Sequence, residues 1–127
     1  MKFGEEKFKR AERVGEAIKA EIAEIISRKI KDPRVGFVTV TSVQVTDDLR
    51  VARIYVAPSI ENSGETVLKS LSHAAGYIRK ELGKALQLRY SPELVFKLES
   101  DSPLRILELL EQVIKPEKEN SKNNHDE

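Results

Sequence analysis

The apolar periodicities of the chain predict a single α+β domain in the order α-β-β-α-kink-α-β-α, a three-stranded sheet covered by helices. Three observations lead there. Two long stretches, about 10–30 and 65–88, repeat apolar residues at helical spacing. Three short stretches are rich in β-formers or alternate in polarity, and turn residues separate the five. No internal repeat is present, and 127 residues suffice for one core but not two.

The first helix is predicted from about Arg10 to Ile30. Val14, Ile18, Ile22, Ile25 and Ile26 line one face, with Glu12, Arg13, Glu16 and Glu24 opposite. Asp32-Pro33 ends it, because the residue before proline avoids the helical region. Gly36 to Val45 reads as a strand whose inward phase shifts between Val40 and Val43, so a bulge is expected near Ser42. Thr46-Asp47-Asp48-Leu49 supplies a turn. Arg50 to Ala57 alternates as a second strand, and the short link makes the pair antiparallel.

Pro58 to Gly64 is a loop with Asn62 or Ser63 placed to cap the next helix. That helix runs to about Leu88 with Gly76 in its middle. Leu68, Leu71 and Ala75 precede the glycine at helical spacing, and Ile78, Leu82, Ala85 and Leu86 resume it. A mid-helix glycine costs about 0.5–1 kcal/mol relative to alanine, which suggests two helices meeting at a kink. Ser91-Pro92 opens a third strand, with Leu94, Phe96 and Leu98 alternating against Val95, Lys97 and Glu99. Phe37 and Phe96 are both expected in the core. Asp101-Ser102-Pro103 starts a last helix striped by Leu104, Leu107, Leu110 and Ile114. The domain is thus expected over 1–115, followed by a disordered polar tail over 116–127.

Composition excludes more than it assigns. The chain holds no cysteine, which removes disulfides, thiolate nucleophiles and cysteine-bound metals and favours a reducing cytoplasm. Apolar runs are too short to span a membrane, and no basic start leads into an apolar segment, so neither a membrane anchor nor a secretory signal is expected. Of two histidines, His125 lies in the tail and His73 has no nucleophile at fixed spacing. Phosphate-binding, dinucleotide and nucleophile-elbow motifs are missing. Asp47-Asp48 reads as a turn rather than a metal site. No enzyme, no metal, no cofactor and no small-molecule substrate is therefore expected.

Net charge is only +1, but it is unevenly spread. Residues 1–90 hold 17 lysines and arginines against 12 acids, and residues 91–127 hold 5 against 9. Past Gly76 come Arg79, Lys80, Lys84 and Arg89, with only Glu81 opposing them. Cations at a helix corner suit a phosphate backbone, and a kink would expose a helix N-terminus at Tyr77-Ile78-Arg79. Arg79, Lys80, Lys84 and Arg89 are the primary candidates for phosphate contact. Arg10, Arg13, Lys31 and Arg34 are secondary ones, provided that the first helix ends face the same groove. Tyr77 is a candidate for base stacking, although an aromatic at a helix junction more often serves packing.

Several short stretches occur in a recognisable order. They are Arg13-Val14, Glu21-Ile22, Ile30-Lys31-Asp32-Pro33-Arg34 with Gly36, Val43 through Asp47-Asp48-Leu49, Ala52-Arg53-Ile54-Tyr55-Val56, Ala74-Ala75-Gly76-Tyr77-Ile78-Arg79, and Leu86-Gln87-Leu88-Arg89-Tyr90-Ser91-Pro92-Glu93-Leu94. At these spacings, from about Arg10 to Leu110, the chain resembles ribosome-binding factor A, a family of bacterial assembly factors. The resemblance implies a type II K-homology fold in which an Ala-x-Gly kink, here Ala74-Ala75-Gly76, replaces the usual Gly-x-x-Gly loop that grips RNA. It further implies a noncatalytic, cytoplasmic monomer that binds the free 30S small ribosomal subunit through 16S rRNA. Such factors assist late maturation and matter most in the cold. The chain departs from the family in a shortened link over Asp101 to Ile106, which bears on the last helix. The alternative is a protein-interaction module that docks on ribosomal proteins or another assembly factor, its basic corner merely solvated.

Overall fold

The computed structural model describes residues 2–114, and the side chains among them other than those of residues 2–5 and 7. Helix α1 spans Lys2–Lys29, β1 Val38–Val45, β2 Val51–Pro58, α2 Gly64–Leu86, β3 Glu93–Leu98 and α3 Pro103–Ile114; a 3₁₀ turn covers Glu99–Asp101. The expected tail lies outside the described residues.

The β-branched run of 38–45 and the alternating run of 51–58 pair antiparallel. Their register shifts between Val40 and Ser42, which is the bulge that the change of inward phase required. Asp48 closes the hairpin as a turn former. Its carboxylate accepts from the Thr46 hydroxyl at 2.6 Å and the Arg50 amide at 3.1 Å, and Leu49 takes a left-handed φ of 62°. Those bonds, the Thr46 one foremost, hold the Asp48 carboxyl below its ordinary pKa. Strand β3 joins β2 in parallel, Ala52 beside Leu94 and Ile54 beside Phe96, so that the sheet order is β1-β2-β3. A parallel pair needs a long crossover, and α2 supplies it.

Helices α1 and α2 pack on one face of the sheet, α1 over β1 and α2 over β3, and against each other. Ile18, Ile22, Ile25 and Ile26 of α1 meet Ala52, Ile54 and Val56 of β2, Leu94 and Phe96 of β3, and Val67, Leu71, Ile78 and Leu82 of α2. Ser63 caps α2, its side chain accepting from the Thr66 amide at 3.1 Å. Ser63→Ala is expected to cost about 1 kcal/mol, read as a lower urea midpoint with an unchanged slope.

Four expectations change. Helix α1 begins at Lys2 rather than near Arg10. Helix α2 is one uninterrupted helix rather than two, and Gly76 has no left-handed φ. The helical residues Leu71, Ile78 and Leu82 on either side of Gly76 are fully buried, and each such side chain contributes about 1.5–3 kcal/mol, more than one glycine costs. No free N-terminus therefore opens at Tyr77. Phe37 is 87% exposed instead of in the core, because it lies in the bend before β1 rather than on the strand. Phe96 is buried as expected. Helix α3 starts where expected, with Ser102 accepting from the Arg105 amide at 3.1 Å. Its stripe does not cover the sheet: Leu104, Leu107, Leu110 and Ile114 are all exposed, and its main neighbour is the preceding 3₁₀ turn.

Candidate nucleic-acid interface

The buried face of α2 leaves the opposite face to solvent. Lys69, Ser72, His73, Gly76 and Lys80 recur there at three- and four-residue steps, and the face they form is open. A Cβ built on Gly76 would meet nothing within 4 Å. Among the described residues, neither packing nor φ thus requires this glycine. What it does is leave bare helix backbone between flanking cations. Ala74 and Ala75, half-buried, pack toward the core beneath it.

On one flank, Gly76, Arg79, Lys80 and Gly83 form a shallow concavity of about 390 Å³ with Leu88, Arg89, Tyr90 and Ser91 of the link to β3. The link is fixed in place. Arg79 donates to the Ser91 carbonyl from Nε at 3.0 Å and from a terminal nitrogen at 2.8 Å, while the Ser91 hydroxyl donates back to the Arg79 carbonyl at 3.0 Å. Gln87, left-handed at φ 54°, terminates the helix and turns the chain toward that contact. Arg89 stands 5.5 Å from the centroid of the Tyr90 ring, a cation on an aromatic face, and Tyr90 is 79% exposed.

The other flank is the junction with α1. Glu81 accepts from Lys29 and lies 3.5 Å from Lys84, so one carboxylate is shared by two cations from two helices. The Lys29 bond foremost holds the Glu81 carboxyl low and the Lys29 ammonium high. The following loop carries Lys31 and Arg34. Arg34 clasps Asp32 through two side-chain bonds at 3.1 and 2.9 Å, its amide donating as well, and these depress the Asp32 pKa.

Of the sequence candidates, the fold gathers Gly76, Arg79, Lys80 and Arg89 around one concavity. Lys84 lies beside them but shares Glu81, and Lys31 and Arg34 stand on the loop after α1, outside the concavity. Arg10 and Arg13 are exposed on α1, at least 16 residues before Lys29, which is about 24 Å of helix rise. The fold does not bring them to this face. Residue-by-residue reading passed over Tyr90, Ser91 and Gly83. The seven-residue spacing of Gly76 and Gly83 was the available signal, since it puts both on one helix face.

The sequence profile of the ribosome-binding factor A family matches residues 10–110. A ribosome-binding factor A from Syntrophus aciditrophicus (strain SB) is 54% identical over 94 residues, covering 73% of this chain and 76% of its own. The chain belongs to the ribosome-binding factor A family. Solved structures agree with that membership. The crystal structure of ribosome-binding factor A from Thermus thermophilus matches with a TM-score of 0.68 at 28% identity, over 73% of this chain and 99% of that one. A homology model of the Thermus thermophilus factor, as fitted into a cryo-electron-microscopy map of a 30S complex, matches at 0.58 and 30% identity, over 68% and 91%. A solution structure from Thermotoga maritima matches at 0.58 and 30% identity, over 67% and 82%. Family membership thus accompanies an α+β fold of three helices and three strands, the arrangement that the sequence predicted apart from the break in α2.

Proposed function

We propose that this protein is a noncatalytic assembly factor that binds the free small ribosomal subunit through 16S rRNA and assists its late maturation in the cytoplasm. The observation that carries the reading is the bare backbone at Gly76 beside Lys80, Arg79 and Arg89, in a helix that does not itself need a glycine. Close approach of another backbone is a use for such a place, and the cations beside it suit a phosphate chain. A K-homology-like grip is compatible with the fold, although the uninterrupted α2 makes it a helix-face contact rather than a helix-terminus one. A ribosome-binding relative and a relative fitted on the 30S subunit support the partner.

The test is sedimentation of the full chain with small subunits, large subunits and whole ribosomes across a salt series. Co-migration with free small subunits alone, lost as salt rises, is expected. Absence from every ribosomal fraction at low salt overturns the reading. Gly76→Ala sharpens it, because its two effects have opposite signs. Alanine should stabilise the helix by about 0.5–1 kcal/mol, read by thermal melting, and weaken subunit binding, read in the same sedimentation. A variant that is more stable and binds fully would remove the backbone contact.

One observation favours a second reading, docking on a protein. Helix α3 exposes Ile106, Leu107, Leu109, Leu110, Val113 and Ile114 on one broad arc, each at least 41% accessible. Binding that survives moderate salt and ribonuclease would favour it.

A further inference from the structure

A second groove lies away from the Gly76 face and shares no residue with it. It runs between the N-terminal half of α1 and the hairpin end of the sheet, with a volume of about 530 Å³. Gly15 seats α1 closely on β1 beside it: a Cβ there would stand 3.3 Å from the Val43 carbonyl oxygen and 3.6 Å from a Val45 methyl. Phe8, Ala11, Val43 and Val45 supply the apolar lining, and Phe8 is 57% exposed although it faces that lining. Among the described residues, the charges along the groove are Glu12, Glu16 and Asp47 against Arg53. With the described residues, none of the three carboxylates forms an ion pair.

Net negative charge over an apolar floor repels a nucleic-acid backbone and rewards the opposite chemistry. A second copy's α3 is a poor occupant on the same ground, because its polar side carries Glu108 and Glu111 against Arg105. Strand β1 is an edge of the sheet, so the place suits an extended segment. We infer that this groove docks a basic peptide segment of another protein, an apolar side chain seated against Phe8 and Val45 and flanking lysines or arginines on Glu12, Glu16 and Asp47. The inference is independent of the rRNA reading, since the two surfaces are disjoint.

The test uses the isotope-labelled full chain and a ten-residue glycine-serine peptide carrying one central leucine between four lysines. Amide shifts confined to the groove, around Ala11, Glu12, Glu16, Gln44 and Asp47, are expected on titration. The pair Glu12→Gln and Glu16→Gln should weaken binding about tenfold, and Phe8→Ser should weaken it similarly. All three positions are exposed, so the variants should keep the fold, checked by circular dichroism. Equal binding of a peptide with glutamates for lysines, shifts scattered over the Gly76 face, no shifts at millimolar peptide, or full binding by the variants would each overturn it. Groove shifts that track protein concentration without peptide would reassign the surface to a second copy.

Discussion

Alanine at Ile78 is expected to lower the free energy of unfolding by about 2–5 kcal/mol, the largest effect of any substitution considered. Ile78 is fully buried in the half of α2 that lies beyond Gly76, in one cluster with Ile22, Ile54 and Leu82. Truncation removes the transfer energy of several methyl groups and leaves a cavity between two helices and a sheet that cannot all collapse at once. In a domain of this size about 3 kcal/mol lowers the melting temperature by roughly 10 °C or more. Thermal melting followed by circular dichroism checks it. A fall of less than about 3 °C would mean that α2 is not anchored beyond Gly76, and the account of why the helix continues through the glycine would fail with it.

The second large effect concerns binding. Lys80→Ala with Arg89→Ala should weaken association with small subunits on the order of a hundredfold near physiological salt and flatten the salt dependence by about two units. Both side chains line the Gly76 concavity, and neither is tied into an ion pair among the described residues. Lys84→Ala should flatten the slope less, because Lys84 already stands against the Glu81 carboxylate. Arg79→Ala is a poorer probe, since it also releases the Ser91 carbonyl and with it the link that carries Arg89. Binding titrations at four or more salt concentrations separate these cases. Parallel slopes for the double variant and the parent chain would take both residues off the contact surface.

How much of this was written in the chain differs from element to element. The hairpin was legible because its signals are local: β-branched residues, a phase shift at 40–43, and an aspartate at the turn. The helix starts at Asn62-Ser63 and Asp101-Ser102-Pro103 were legible for the same reason, and the structure selects Ser63 and Ser102 as the caps. The direction in which β3 joins β2 leaves no local mark, being decided by the crossover. Gly76 was misread because propensity is a weak force beside burial, and burial of Leu71, Ile78 and Leu82 depends on a sheet whose strands lie elsewhere in sequence. Phe37 was misplaced because strand-like composition extends past the point where β1 begins, at Val38. In the candidate site, sequence supplied the cations but could not rank them. Arg79, Lys84 and Lys80 look equivalent along the helix, and only Ser91, twelve residues on, and Glu81, shared with Lys29, tell them apart.

The parallel pairing of β3 also sets an order of events in folding. Strands β1 and β2 are joined by a five-residue turn and can meet early, whereas β3 begins more than thirty residues after β2 ends. Closing that long loop is compensated only once α2 has formed and brought Leu94 and Phe96 back over the sheet. The segment from Leu88 to Ser91 is drawn into position by the same closure. A nascent or partly folded chain would therefore own its hairpin and its helices before it owned the concavity around Gly76. Competence to grip a partner there would arrive with the final step of folding, so that an incomplete molecule has no surface with which to occupy the partner.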